Sequence, residues 1–436
     1  MKNLLKFVAV ASLWLTHNVA QAADRPNILF ILADDVGQEV LGCYGGESYK
    51  TPNLDSLAAE GQRYNHCYSM PVCHPSRLTL LTGRYPRDLE NTTWGSFPQQ
   101  YETKIYPHVL KQAGYATAIA GKWQLVLQGT DVDHPRRLGF DHNCLFGWHE
   151  GPRYHEPFIW QNGTKREGTS GMYGPDLYTD FLIEVMEQSN DKPFFAFYSM
   201  ALCHDVSDDL ETPVPYPPGM DRYLNYAEMV SSMDQQIGKL LLALDRLNLR
   251  ESTYVVFTGD NGTASRSIIR AEQDPSSKKW RYIRDEVWSL AHGRRIRGGK
   301  GSLHDGGTRV PLIVNRPGVV IPGVVDDLVD FSDFFPTFAS LAGTEIPDWN
   351  LRGTSFSDRI TLNRPTSKPF AYAEERSGNY WVRDQRWKLT NKGSLYDVAN
   401  DPTEANNLNM APTLSSEARA AQARLKEKID TYFGRN

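Results

Sequence analysis

Asn27-Ile28-Leu29-Phe30-Ile31-Leu32-Ala33-Asp34-Asp35 is an apolar run that stops abruptly at two adjacent carboxylates. Similar runs recur at Thr117–Ala120, Phe194–Tyr198, Tyr254–Thr258 and Val310–Val314. Continuous apolar segments of this kind, alternating with amphipathic stretches, read as α/β structure built on a largely parallel sheet. Thr51-Pro52 opens a helix with a cap residue and a proline at its first position, and Gly61 closes it. A longer helix is expected from about Tyr226 to Leu247, with Met229, Met233, Ile237, Leu240, Leu241 and Leu244 on one face.

From about Leu351 the texture changes. Tyr380–Arg383, Arg386–Thr390 and Leu395-Tyr396 read as short antiparallel strands, and a helix from about Ser415 to Tyr432 follows. The expected fold is an α/β/α sandwich around a large mixed, mainly parallel sheet. A small C-terminal antiparallel-sheet subdomain with the terminal helix follows it. The expected divisions are 1–22 as a signal peptide, 23–350 as a catalytic domain and 351–436 as the C-terminal subdomain.

The opening residues read as a signal for export. Lys2 and Lys6 precede an apolar stretch from Phe7 to Leu15, and Ala20-Gln21-Ala22 offers a small-x-small cleavage site. No later segment holds the roughly 18 apolar residues that a membrane helix requires. Without Lys2 and Lys6 the formal charge falls from −5 to −7. So acidic a chain is a poor general nucleic-acid binder, and anion recognition must be local. The five cysteines Cys43, Cys67, Cys73, Cys144 and Cys203 match no zinc spacing and dictate no pairing.

Polar residues interrupt the apolar runs in an informative way. Asp34-Asp35, Lys122, His204 and Asp260-Asn261 each follow an expected strand at its carboxyl end, the edge where open α/β sheets bind ligands. Asp34, Asp35, Asp260 and Asn261 are hard oxygen donors suited to calcium or magnesium, not to zinc or copper. In Cys73-His74-Pro75-Ser76-Arg77, Pro75 can start a helix, leaving Cys73 just before its positive end. A cysteine so placed would have a depressed pKa and could itself be a nucleophile.

Cys73-x-Pro-Ser-Arg77 followed by Leu81-Thr82-Gly83-Arg84 resembles the signature of type I sulfatases of the alkaline-phosphatase superfamily. Thr51-Pro52-Asn53-Leu54-Asp55, Gly121-Lys122-Trp123, Phe257–Gly262, Arg297–Gly301 and Leu395-Tyr396-Asp397 are similar to further blocks of that family, in order along nearly the whole chain. The resemblance implies that a formylglycine-generating or sulfatase-maturating enzyme oxidises Cys73 to formylglycine, whose hydrated gem-diol is the nucleophile. It also implies one Ca²⁺ held by Asp34, Asp35, Asp260, Asn261 and residue 73. Arg77 would orient the nucleophile, Lys122 and Lys300 would bind the sulfate, and His204 would protonate the departing oxygen. A sulfated residue 73 would then expel sulfate and regenerate the aldehyde.

One position departs from the family. Many members read Gly-Lys-Trp-His-Leu and use that histidine as the base of the elimination; here Gln124 stands in its place, and glutamine takes no proton at neutral pH. His149 is the expected substitute and His304 the reserve.

Two stretches read as specificity elements for a sulfated sugar chain. Phe146–Trp160 carries Trp148, His149 and Arg153, and the insert between Asn261 and Arg297 carries Trp280 and Arg281 among many cations. Rings stack on pyranose faces, and arginine pairs with sulfate oxygens. The expected activity is sulfate-ester hydrolysis on a polysaccharide or oligosaccharide by an exported, periplasmic or secreted bacterial enzyme. A phosphonate monoester or phosphodiester hydrolase of the same superfamily and a non-catalytic glycan-binding relative are the alternatives.

Overall fold

The computed structural model describes residues 25–90, 93–189, 192–206 and 221–433. The proposed signal segment, residues 1–22, lies outside the described residues. Strands β1 (Asn27–Ala33), β2 (Gln62–Tyr68), β3 (Ala116–Trp123), β4 (His142–Gly147), β5 (Trp160–Gln161), β6 (Thr164–Lys165), β7 (Phe194–Ser199) and β8 (Thr253–Gly259) belong to one sheet. Two hairpins follow: β9 (Arg266–Gln273) with β10 (Trp280–Glu286), and β11 (Trp288–Ala291) with β12 (Arg294–Arg297). Then β13 (Arg309–Val310), β14 (Leu312–Asn315) and β15 (Gly323–Asp330) rejoin the large sheet, whose order is β13-β2-β14-β8-β1-β7-β3-β4-β5-β6 with β15 beside β2.

β1 lies at the centre and pairs parallel with both β7 and β8. It is buried on both faces. Leu29 and Ile31 enter one core with the helices Gly174–Gln188 and Tyr226–Arg246, while Ile28, Phe30 and Leu32 enter the opposite core with Cys73–Thr82 and Phe334–Leu341. This two-sided burial is why the strand is apolar at every position. The sheet is mixed and mainly parallel, as expected.

Several local readings need correction. Val310–Val314 is not one strand, because Pro311 lacks the N–H that a ladder requires, so β13 and β14 are separate and both run antiparallel to their neighbours. Thr51 does not cap the first helix; its hydroxyl donates to Asp55 and accepts from the Gly42 N–H. The insert read as a specificity loop is two antiparallel hairpins.

The C-terminal sheet has four strands, β16 (Ala371–Glu374), β17 (Tyr380–Arg383), β18 (Trp387–Thr390) and β19 (Leu395–Asp397). The helix Ser416–Phe433 covers it through Ala418, Ala421 and Leu425. β16 escaped the sequence reading because all four of its residues are buried, which erases the alternation that marks a strand with one wet face. Where this sheet meets the larger one, Arg383 and Lys388 grip Asp305, and Lys388 also pairs with Glu404 at 2.8 Å.

Candidate active site

Asp34 and Asp35 leave the carboxyl end of β1, and Asp260 and Asn261 leave that of β8 beside it. Both pairs are buried. The Asp35 N–H donates to Asp260 Oδ1 at 3.2 Å, and Asn261 Nδ2 donates to Asp35 Oδ1 at 2.7 Å. Parallel pairing of two strands with the same terminal chemistry thus brings four oxygen-bearing side chains together from positions 225 residues apart.

Residue 73 is the first residue of its helix, which starts two residues earlier than Pro75 would suggest. Its sulfur lies within 4.8 Å of carboxylate oxygens of both Asp34 and Asp260. The sequence-based expectation of a depressed thiol pKa is overturned. Burial pushes the Cys73 thiol up, and Asp34 and Asp260 add to this against the opposing pull of Lys122 and Lys300. An unmodified thiolate is therefore disfavoured here.

Four cationic or protonatable side chains enclose the acids. Arg77, one turn along the helix, donates to Asp260 Oδ2 from Nη2 at 2.8 Å and to Ser199 Oγ from Nη1. Lys122 lies within β3 rather than beyond it, and its Nζ is 2.5 Å from Asp34 Oδ2. Gly121 makes this approach possible: its φ is +98°, and an added Cβ would sit 2.1 Å from the Ser199 carbonyl oxygen. Lys300 Nζ is 2.6 Å from Asp35 Oδ2. His204 lies five residues past the end of β7, and one of its ring nitrogens falls within 4.8 Å of Asp34 and Asp35 oxygens.

These contacts shift the acids in opposite directions. Burial would raise the Asp34 carboxyl, yet Lys122, His204, Arg77 and Lys300 together hold it well below the usual carboxylate range. Asp260 is pushed up to about 7 by burial and by the Asp34 charge, in spite of Arg77. The His204 imidazole is pushed down to about 4 by burial and by Lys300 and Lys122.

The donor set fits a hard divalent cation. Asp34 Oδ1 and Asn261 Oδ1 are buried without a hydrogen-bond partner; Asp34 belongs to the cluster that holds the Cys73 sulfur, and Asn261 is tied to Asp35 beside it. Three carboxylates and an amide oxygen match the ligand chemistry of calcium.

The remaining expected residues divide. Arg153 is 1% exposed and directs Nη1 to within 3.4 Å of His204 Nδ1, so it is buried behind the histidine and is not at the surface. His149 stands edge-on to Trp148 at 4.8 Å, and the Trp148 ring lies 5.7 Å from Lys122 Nζ. Gln124 is 1% exposed, and neither of its polar atoms has a partner. With Arg77, Lys122 and Ser199 it lines a cavity of about 10 Å³, room for about one water. His304 turns Nδ1 to Glu404 at 3.2 Å, at the exposed edge of the contact with the C-terminal subdomain. Trp280 and Arg281 lie at the tip of the β9–β10 hairpin, where Arg281 pairs with Glu272.

Sequence reading missed Ser199, which bonds both Arg77 and the Lys122 carbonyl. The signal was present: Ser199 is the polar residue closing the apolar run of β7. It also missed Asp221, whose carboxylate accepts the N–H groups of Arg153, Tyr154 and His155 and so fixes the turn behind His204. No local pattern marks that aspartate.

Residues 26–344 match the Sulfatase family, and residues 299–432 match the family described as N-sulphoglucosamine sulphohydrolase, C-terminal. The chain belongs to the sulfatase family, and it is a sulfuric ester hydrolase. Arylsulfatase A of Bos taurus is 31% identical over 433 residues, covering 87% of this chain and 78% of the relative. N-acetylgalactosamine-6-sulfatase of Homo sapiens is 30% identical over 417 residues, covering 85% and 74%. A solved structure in complex with its substrate, D-glucosamine-2-N,6-O-disulfate, has a TM-score of 0.69 at 22% identity and covers 94% of this chain and 99% of its own. The phosphonate monoester hydrolase of Agrobacterium radiobacter shares the fold more distantly, with a TM-score of 0.60 at 18% identity over 93% of this chain and 95% of its own.

Proposed function

We propose that this chain is an exported, calcium-dependent sulfatase that removes sulfate from a sulfated polysaccharide or oligosaccharide. The observation that carries the reading is the placement of Cys73 Sγ within 4.8 Å of both Asp34 and Asp260 oxygens, with Lys122 and Arg77 on the same acids. The names of the carbohydrate-directed relatives support the glycan as substrate.

Asp34, Asp35, Asp260 and Asn261 would hold the calcium ion together with residue 73, and the bound ion would supply Lewis acidity toward the sulfate oxygens. Oxidised to formylglycine by a maturation enzyme, residue 73 would supply a hydrate hydroxyl as nucleophile. Lys122 and Lys300 would offset negative charge on the sulfuryl group as it transfers. Arg77, braced by Asp260 and Ser199, would keep residue 73 in line. His204 donates Nδ1–H to the Asp205 carbonyl at 3.0 Å, which leaves Nε2 facing the departing sugar oxygen; burial, Lys300 and Lys122 oppose a proton there, and the negative charge of a bound sulfate would favour it. Gln124 would hold the nucleophile or a water through its amide without taking a proton. The base falls to His149, near Lys122 across Trp148, and not to His304, which is engaged by Glu404.

The test is inorganic sulfate release from algal and animal sulfated oligosaccharides by protein co-expressed with a maturation enzyme. A Cys73→Ala control and a phosphodiester substrate run alongside. Release that disappears in the control supports the reading. Turnover of the phosphodiester alone would replace it with the phosphonate or phosphodiester hydrolase reading. Silence on every substrate, with residue 73 converted and calcium bound, would point to a non-catalytic glycan binder.

A further inference from the structure

The segment from Asn261 to Lys300 carries ten lysines and arginines against four aspartates and glutamates, in a chain of net charge −5. Its first hairpin, β9–β10, is rooted on the segment that carries His204. The Val206 N–H donates to the Ile268 carbonyl at 2.8 Å, and the Ile268 N–H donates to Asp205 Oδ2 at 3.4 Å. From Ile268 the hairpin runs five positions to Gln273, which faces Trp280 across the ladder. That is roughly 16 Å at a strand rise of about 3.3 Å per residue.

The two faces of β10 differ. Ile283 packs against the core, and Asp285 accepts the Tyr226 N–H, so the face bearing them is turned to the protein. Strand alternation puts Trp280, Tyr282 and Arg284 on the other face. Trp280 is 44% exposed, Tyr282 is 40% exposed, and the Arg284 guanidinium lies over the Tyr282 ring at 5.8 Å. Elsewhere on the hairpin the cations are neutralised, Arg281 and Arg270 by Glu272 and Arg266 by Glu286. Among the described residues, Lys278, Lys279 and Arg284 pair with no carboxylate.

Two exposed rings in a row beside three uncompensated cations are complementary to a ligand that is both flat-faced and anionic. We infer that the outward face of β9–β10, through Trp280, Tyr282 and Arg284, is a distal subsite for a sulfated oligosaccharide chain, holding sugars remote from the sulfate that is cleaved. The inference rests on the glycan-sulfatase reading and adds to it that the enzyme works on chains rather than on single sugars. A ring face binds the pyranose, and the unpaired cations bind its sulfates.

Binding and turnover test the two readings separately. In the full chain carrying Cys73→Ala, affinity for a chondroitin 6-sulfate octasaccharide and a κ-carrageenan octasaccharide is measured by calorimetry, with and without Trp280→Ala plus Arg284→Ala. The double change is expected to weaken binding of at least one octasaccharide about tenfold. Its desulfated form is expected to bind the parent comparably weakly. In the active enzyme, kcat/KM on that octasaccharide should fall about tenfold more than kcat/KM on its sulfated monosaccharide. Equal affinity with and without the double change, or equal loss on both substrates, overturns the subsite. So does preference for single-stranded DNA of similar length over every sulfated chain. Hairpin-dependent binding without any sulfate release would sustain the subsite and overturn the sulfatase reading.

Discussion

Lys300 Nζ lies 2.6 Å from Asp35 Oδ2, although 265 residues separate the two in the chain. The lysine reaches the aspartate because its loop is pressed against the end of β8. Its own N–H donates to the Thr263 carbonyl, and an added Cβ on Gly262 would meet the Gly306 carbonyl oxygen at 1.9 Å. A charge held in place before substrate arrives costs no reorganisation during reaction. Lys300→Ala is expected to lower kcat by about 10²–10³ with calcium affinity retained. Steady-state kinetics together with calcium titration check this.

Calcium should stabilise the fold measurably. Asp260 is pushed up to about 7 by burial and by Asp34, so the cluster carries repulsion that a divalent cation would relieve. Calcium at about 100 times its dissociation constant is expected to add about 2.7 kcal/mol to the unfolding free energy. Differential scanning calorimetry should show the melting temperature rising with calcium in the wild type. In Asp35→Asn combined with Asp260→Asn it should stay flat.

A buried ion pair on the C-terminal side lines the contact with the large sheet. Lys388 and Glu404 are 1% and 2% exposed, and Lys388 also donates to the Leu303 carbonyl at 2.7 Å. Lys388→Met leaves the buried Glu404 only the His304 ring and the Asp305 N–H as partners and is expected to cost about 3 kcal/mol. Adding Glu404→Gln should restore part of that loss. Urea unfolding of the two variants distinguishes a broken pair from a general packing defect, which the second change would not repair.

His134 supplies a pH dependence of stability from outside the cluster of acids. Its ring is buried against Trp123 and Phe97, neither nitrogen has a hydrogen-bond partner, and burial pushes its pKa down to about 4 against the pull of Glu102. Below the ordinary histidine pKa of about 6.5 the unfolded chain takes up a proton that the folded one refuses. Stability from this group is therefore complete above pH ~6.5, falls as the pH drops and levels off near pH ~4, with a total of about 3 kcal/mol. His134→Phe is expected to make the slope between pH 7 and 5 in denaturant titrations shallower than in the wild type, leaving the share of His66 and His74, which burial also pushes down to about 4.

Much of this protein is written locally. The apolar runs that become β1, β7 and β8 are apolar throughout because helices cover both faces of the sheet, and the carboxylates that end β1 and β8, themselves buried, follow where the strands stop. Cys73, Pro75 and Arg77 are legible because one helical turn holds all three. Local pattern does not reach the partners on the far side of a side chain. Arg153 reads as a specificity residue for a sulfated sugar, and packing buries it beside His204. Trp280 and Arg281 read as specificity elements in a loop, and a hairpin ladder carries them to its tip. The pairing of Lys388 with Glu404 and the bracing of Arg77 by Ser199 have no trace in spacing or periodicity. Periodicity reports how each residue meets its own element's neighbours, so the sequence by itself determined the central strands, residue 73 as the candidate nucleophile and the acids beside it. Which distant cation, hydroxyl or ring faces them was decided only when the β-strands and their crossovers packed.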